Sequence, residues 1–149
     1  MSGASVEMRS ITPCLVIGVL IGLGISSTHG YSRGAPSISC YDLTPQHGSP
    51  PQSSNPPFSL TVEKNGDNTV TVTLGGGGTK FKGLIIQARL SKDTSEILKG
   101  KFSTTSGVKT MNCGGGSKNT LTHSSNTRKT TVTTVWTPPS DFNGDVIFR

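Results

Sequence analysis

The chain has 149 residues, 31% hydrophobic and 15% charged, with 14 Lys and Arg against 8 Asp and Glu and a formal charge of +6. That length holds one domain rather than several, and so low a charge density is not that of a solvated disordered tail. Three cysteines are too few for a disulfide-dense mini-scaffold, and the basic balance points toward anionic partners.

The chain opens on one positive charge, Arg9, then an apolar run from Leu15 to Ile25, then the small residues Ser26, Ser27, Thr28 and Gly30. A positive end, a short apolar middle and small residues at a cut site make a secretory signal peptide. The run is well short of the roughly 20 residues a membrane-crossing helix needs. Residues 1–30 are therefore expected to be a leader cleaved after Gly30, with Gly34 as the second choice, leaving residues 31–149 as the domain. Cleavage also removes Cys14, so an odd cysteine count becomes the pair Cys40 and Cys113. In the oxidising compartment that such a leader implies, the pair is expected as a disulfide rather than as two free buried thiols. Closing so long a loop is worth roughly 4 kcal/mol, a useful addition to a thin apolar core.

Residues 31–57 are rich in Ser and Pro and read as an extended lead-in pinned by Cys40. Periodicity two begins after it. Phe58 to Val62 and Thr69 to Leu74 alternate apolar and polar residues, with Asn65-Gly66-Asp67 supplying turn chemistry between them. Lys82 to Leu90 reads as a more buried strand because Leu84, Ile85 and Ile86 are consecutive. Residues 100–103, 120–122, 130–136 and 145–148 add short strands, and only Ser95 to Lys101 hints at a helical turn, which is too short to matter. The last strand ends in mid-pattern at Arg149, so it is either short or continued beyond this chain. About seven short strands with regular turns indicate an all-β, immunoglobulin-like Greek-key β-sandwich with one disulfide. Trp136, sharing a strand face with Val132 and Thr134, is expected in the core, against the disulfide as in immunoglobulin domains.

Most chemistry is excluded. The runs Gly75 to Gly78 and Gly114 to Gly116 lack the Gly-Lys-Ser/Thr and following helix of a phosphate loop. Cys40, His47, Cys113 and His123 can be drawn as a zinc site, but their spacings are not those of short ligand pairs, and oxidation of the cysteines leaves two imidazoles. His47 in its Pro-Gln-His-Gly turn and His123 at a strand end read as structural. There is no Gly-x-Ser-x-Gly elbow, and Asp42, Glu63, Asp93 and Asp145 are scattered, so no catalytic residue, metal or cofactor is expected. No Asn-x-Ser/Thr sequon occurs to place N-linked glycan on the surface.

The basic residues carry the remaining signal. Lys80 and Lys82 flank Phe81, Lys99 and Lys101 flank Gly100, and Arg128-Lys129 precede the Trp136 strand. On strands each lysine pair shares a face, with Phe81 turned inward. These six are the candidate ligand-binding residues, for anionic glycans, glycosaminoglycans or bacterial envelope lipids; nucleic acid belongs to the wrong compartment. Against that stands the plainer role of lysines along a sheet edge, which prevents strand-to-strand aggregation.

The ordered set of motifs resembles the reeler (reelin-type) domain family. It comprises Tyr31 to Pro36, Cys40, Pro45 to Gly48, Phe81 to Arg89, Cys113, Leu121 to Ser124, Val135 to Pro139 and Gly144 to Phe148. Leu84, where the family often has an aromatic residue, and the Gly75 to Gly78 run are mild departures. The resemblance implies an immunoglobulin-like sandwich without a known active site. Short secreted relatives, chiefly of invertebrates, are described as defence proteins. Longer ones set the domain before DOMON and cytochrome b561-type domains in ferric-chelate reductases, or in matrix proteins. The expectation is thus a secreted, extracellular, non-catalytic protein of innate immunity that binds microbial or other anionic surfaces. The alternative is an extracellular module of a larger reductase or matrix adhesion protein.

Overall fold

The computed structural model describes residues 30–149; the expected leader lies, apart from Gly30, outside the described residues. One short helix, α1 (Ser39–Asp42), precedes eight strands: β1 (Ser59–Lys64), β2 (Val70–Gly75), β3 (Ile85–Leu90), β4 (Lys101–Phe102), β5 (Val108–Met111), β6 (Thr120–His123), β7 (Thr131–Thr137) and β8 (Val146–Phe148). They form two four-stranded antiparallel sheets, ordered β1-β2-β7-β4 and β5-β6-β3-β8. β2 and β7 are neighbours although the chain between them crosses to the second sheet. This Greek-key order in the first sheet is that of the A-B-E-D sheet of an immunoglobulin domain.

Alternation explains the layers. Along β7, Val132, Thr134 and Trp136 are buried while Thr131, Thr133 and Thr137 are exposed. The first sheet contributes Val72, Val132 and Trp136 to the core, and the second contributes Ile86, Ala88 and Leu121. Trp136 meets Phe148 and Phe142 edge to face, at centroid separations of 5.5 and 6.4 Å. Its indole lies so close to the Gly100 backbone that a Cβ there would overlap the ring. The tryptophan is thus a core residue, but the disulfide is not its partner. Cys40–Cys113 forms, with Cα atoms 5.5 Å apart, and ties the lead-in to the segment after β5 instead of joining the two sheets.

Three local readings need correction. The lead-in is not wholly extended, because α1 forms in it. β5 was not expected: between Gly107 and Cys113 its four residues offer little pattern, and pairing with β6 creates it. The helical turn at Ser95 to Lys101 does not form. Asp93 takes hydrogen bonds from the Ser95 N–H and hydroxyl, which closes a turn, and Ile97 then bridges Arg89 in strand-like fashion.

The lead-in lies across the outer face of the second sheet. Ala35 N–H donates to Thr122 Oγ1 at 2.9 Å, and Gln87 Nε2 donates to Cys40 O at 3.1 Å. Arg89, 4% exposed, donates to Gln87 Oε1, Cys40 O, Tyr41 O and Thr94 O at 2.7–3.0 Å. Two of these acceptors are carbonyls at the end of α1, groups a helix cannot satisfy internally. Burial, and secondarily the charge of Arg149, pull the Arg89 pKa below that of a free guanidinium.

Candidate functional site

The topology sorts the charges. At one end of the sandwich lie the β2–β3 connection with Lys80 and Lys82, the β6–β7 connection with Arg128 and Lys129, and the start of β5 with Lys109. Phe81 pairs with Lys129, Val108 pairs with His123, and the Gly34 backbone beside Arg33 packs on the Lys109 side chain. Six cations and no carboxylate occupy these segments. The opposite end holds the β1–β2 turn and the β3–β4, β5–β6 and β7–β8 connections, where Lys64, Lys92, Lys99, Lys101 and Lys118 are interspersed with Glu63, Asp67, Asp93, Glu96, Asp141 and Asp145. The excess positive charge is therefore gathered at one end.

The six residues singled out from the sequence divide accordingly. Lys80, Lys82, Arg128 and Lys129 come together. Lys99 and Lys101 do not join them: Lys101 pairs with Thr137 on the short edge strand β4, at the far end of β7, about 20 Å away by strand rise. Lys101 fits the edge-protecting role. Lys80 and Lys82 are exposed on either side of buried Phe81, as the alternation predicts. Lys129 differs from its neighbours, because its ammonium already donates to Ser125 O, Thr127 O and Lys82 O at 2.8–3.2 Å. It ties the two basic loops to each other, and its contribution outward is charge rather than a free donor.

Beside this end, the lead-in and the second sheet enclose a groove. Its walls include Tyr31, Pro36, Leu43, His47, Leu84 and His123. His123, buried, accepts the Leu84 N–H at Nδ1 (3.3 Å), and its Nε2 lies 2.6 Å from Tyr31 O. The Tyr31 and His47 rings stand 6.4 Å apart at the groove's mouth. Among the described residues no group of three or more His, Cys, Asp or Glu side chains could hold a metal ion, and no helix is long and apolar enough to cross a membrane. Sequence reading missed Arg33 and Lys109 at the basic end, since neither belongs to a local cluster; the contact between Gly34 and Lys109 brings them in.

The model of the reeler domain matches residues 38–149, most of the sandwich just described. The chain belongs to the reeler family. Among its relatives, the Drosophila melanogaster protein named Defense protein l(2)34Fc is 39% identical over 129 residues, covering 82% of this chain and 77% of that one. A Danio rerio protein provisionally named ferric-chelate reductase 1 is 37% identical over 116 residues, covering 74% of this chain but only 20% of the longer protein. Among solved structures, a human F-spondin reeler domain superposes with a TM-score of 0.48 at 23% identity, covering 68% of this chain and 77% of that one.

Proposed function

We propose that this reeler domain is an extracellular, non-catalytic defence protein that binds anionic polymers of microbial or matrix surfaces through its basic end. The observation that carries the reading is the segregation of the carboxylates: Arg33, Lys80, Lys82, Lys109, Arg128 and Lys129 share an end without acids, while at the other end five lysines are offset by six carboxylates. Clustered cations attract a polyanion far more strongly than the same charges interspersed with acids, because fields of mixed sign cancel within a Debye length. The defence-named relative, most of whose length this chain matches, supports the biological setting. The Cys40–Cys113 disulfide supports an oxidising compartment.

Titrating the purified protein with lipopolysaccharide and with heparin over a salt series tests the reading. Affinity that falls steeply as salt rises is the expected result. Absence of binding at low salt, or binding indifferent to salt, would overturn it. The reductase-named relative, of which this domain matches one fifth, favours a second reading as a module of a larger redox protein. A transcript continuing in frame past Arg149 into apolar spans would select that reading.

A further inference from the structure

The groove beside the basic end has a division of labour that surface electrostatics alone does not require. Its inner lobe, about 210 Å³, is walled by Ala35, Pro36, Leu43, Pro45, Leu84 and Ile85. Of the polar side chains along it, Ser39 Oγ donates to Thr44 O at 3.0 Å, Gln46 Nε2 donates to the same carbonyl at 3.2 Å, and both His123 nitrogens are engaged. These apolar walls favour hydrocarbon, which would lose only water there. The outer lobe, about 310 Å³, shares Tyr31, His47, Gly83 and His123 with the inner one and is lined also by Lys82 and Asn126. Arg128 is exposed two residues along the same loop from Asn126, and no carboxylate lines either lobe. At Gly83 the backbone faces the His123 ring, where a Cβ would come within 3.3 Å of it, so the two lobes communicate past a residue without a side chain.

We propose that this groove holds the hydrocarbon chain of a single-chain anionic amphiphile, with its headgroup at Lys82 and Arg128. The inference rests on the anion-binding reading above and names the ligand class for it. One chain, rather than the several of a lipid bundle, follows from the inner lobe, which is smaller than the roughly 300–1,000 Å³ of pockets that enclose drug-sized ligands. The charge at the mouth selects an anion over a neutral lipid.

Calorimetric titration of the whole protein with straight-chain carboxylates from hexanoate to tetradecanoate, below their micelle concentrations, tests this. Acetate and inorganic phosphate serve as headgroup-only probes and decanol as the neutral tail. Each added methylene should tighten binding about fourfold until the groove is full, after which affinity levels off. Decanol should bind more weakly than decanoate and without salt dependence. Ala35→Phe, which fills the inner lobe while keeping the backbone donor to Thr122, should weaken decanoate at least about tenfold and leave heparin binding unchanged. Equal affinity for acetate and decanoate, or for decanol and decanoate, would overturn the proposal, and the chain-length series does so without any variant. Heparin binding that persists beside a flat chain-length series refutes the groove alone; loss of both refutes the anion-binding reading as well.

Discussion

The two sheets have similar strands and opposite outer faces. On the first sheet, Thr61, Thr73 and Thr133 form one cross-strand row open to solvent, with the Thr73 and Thr133 hydroxyls 3.1 Å apart. On the second sheet the corresponding outward residues, Gln87, Arg89, Thr120 and Thr122, are all buried because the lead-in covers them. The same polar alternation thus gives a solvated surface in one place and a buried hydrogen-bonded network in the other. The lid also creates the groove, and it delivers Arg33 to the basic end.

Removing the covalent tie of the lid should have the largest effect. Cys40→Ala with Cys113→Ala should cost about 4 kcal/mol by denaturant unfolding, and a cost below about 1 kcal/mol would mean that the lid stays down without it. Next comes Arg89→Leu, which strands Tyr41 O, Thr94 O and Gln87 Oε1 and should cost about 3 kcal/mol. Its affinity for heparin, per folded molecule, should stay that of the parent. On the open face, Thr73→Val with Thr133→Val deletes a comparable number of polar atoms, yet stability should change by less than about 0.5 kcal/mol. A loss as large as that of Arg89→Leu would erase the contrast between the faces.

The smallest effect concerns the exposed carboxylates of the turns. The Ser95 hydroxyl, then its amide, holds the Asp93 pKa below the usual carboxylate value, and Thr69 does the same for Asp67. A depressed folded pKa favours the native state above the unfolded carboxylate pKa, and that contribution is lost as pH falls through the folded value. Ser95→Ala should therefore raise the Asp93 pKa in an NMR titration and slightly lower stability at neutral pH, with the difference from the parent vanishing as pH falls through the folded value.

Much of the first sheet was legible in the sequence, because β1, β2 and β7 alternate apolar and polar residues, although only β7 buries one face cleanly and β1, at the sheet edge, leaves Val62 exposed. β3 was legible as a buried strand from Leu84-Ile85-Ile86, though it begins at Ile85 because Phe81 instead bridges Lys129. α1 and β5 were not legible. Both are four residues long, and their conformation is imposed by partners distant in the chain: Arg89 and Cys113 for α1, β6 for β5. The disulfide pairing followed from the cysteine count, but its place outside the core did not, since nothing local says which face a lead-in covers. The basic cluster was only half legible. Sequence pairs gave Lys80 with Lys82 and Arg128 with Lys129; topology joined them, separated Lys99 and Lys101, and assigned the Lys129 ammonium to three carbonyls.

The central claim is that location, not total charge, makes one end of this sandwich bind anions. Two double charge reversals of equal net charge test it directly: Lys82→Glu with Arg128→Glu at the basic end, and Lys99→Glu with Lys101→Glu at the mixed end, each titrated with heparin at low salt. At about 1 kcal/mol per cation at an anionic surface, the first pair should lose at least about 30-fold in affinity and the second less than about threefold. Equal losses from the two pairs would contradict the account.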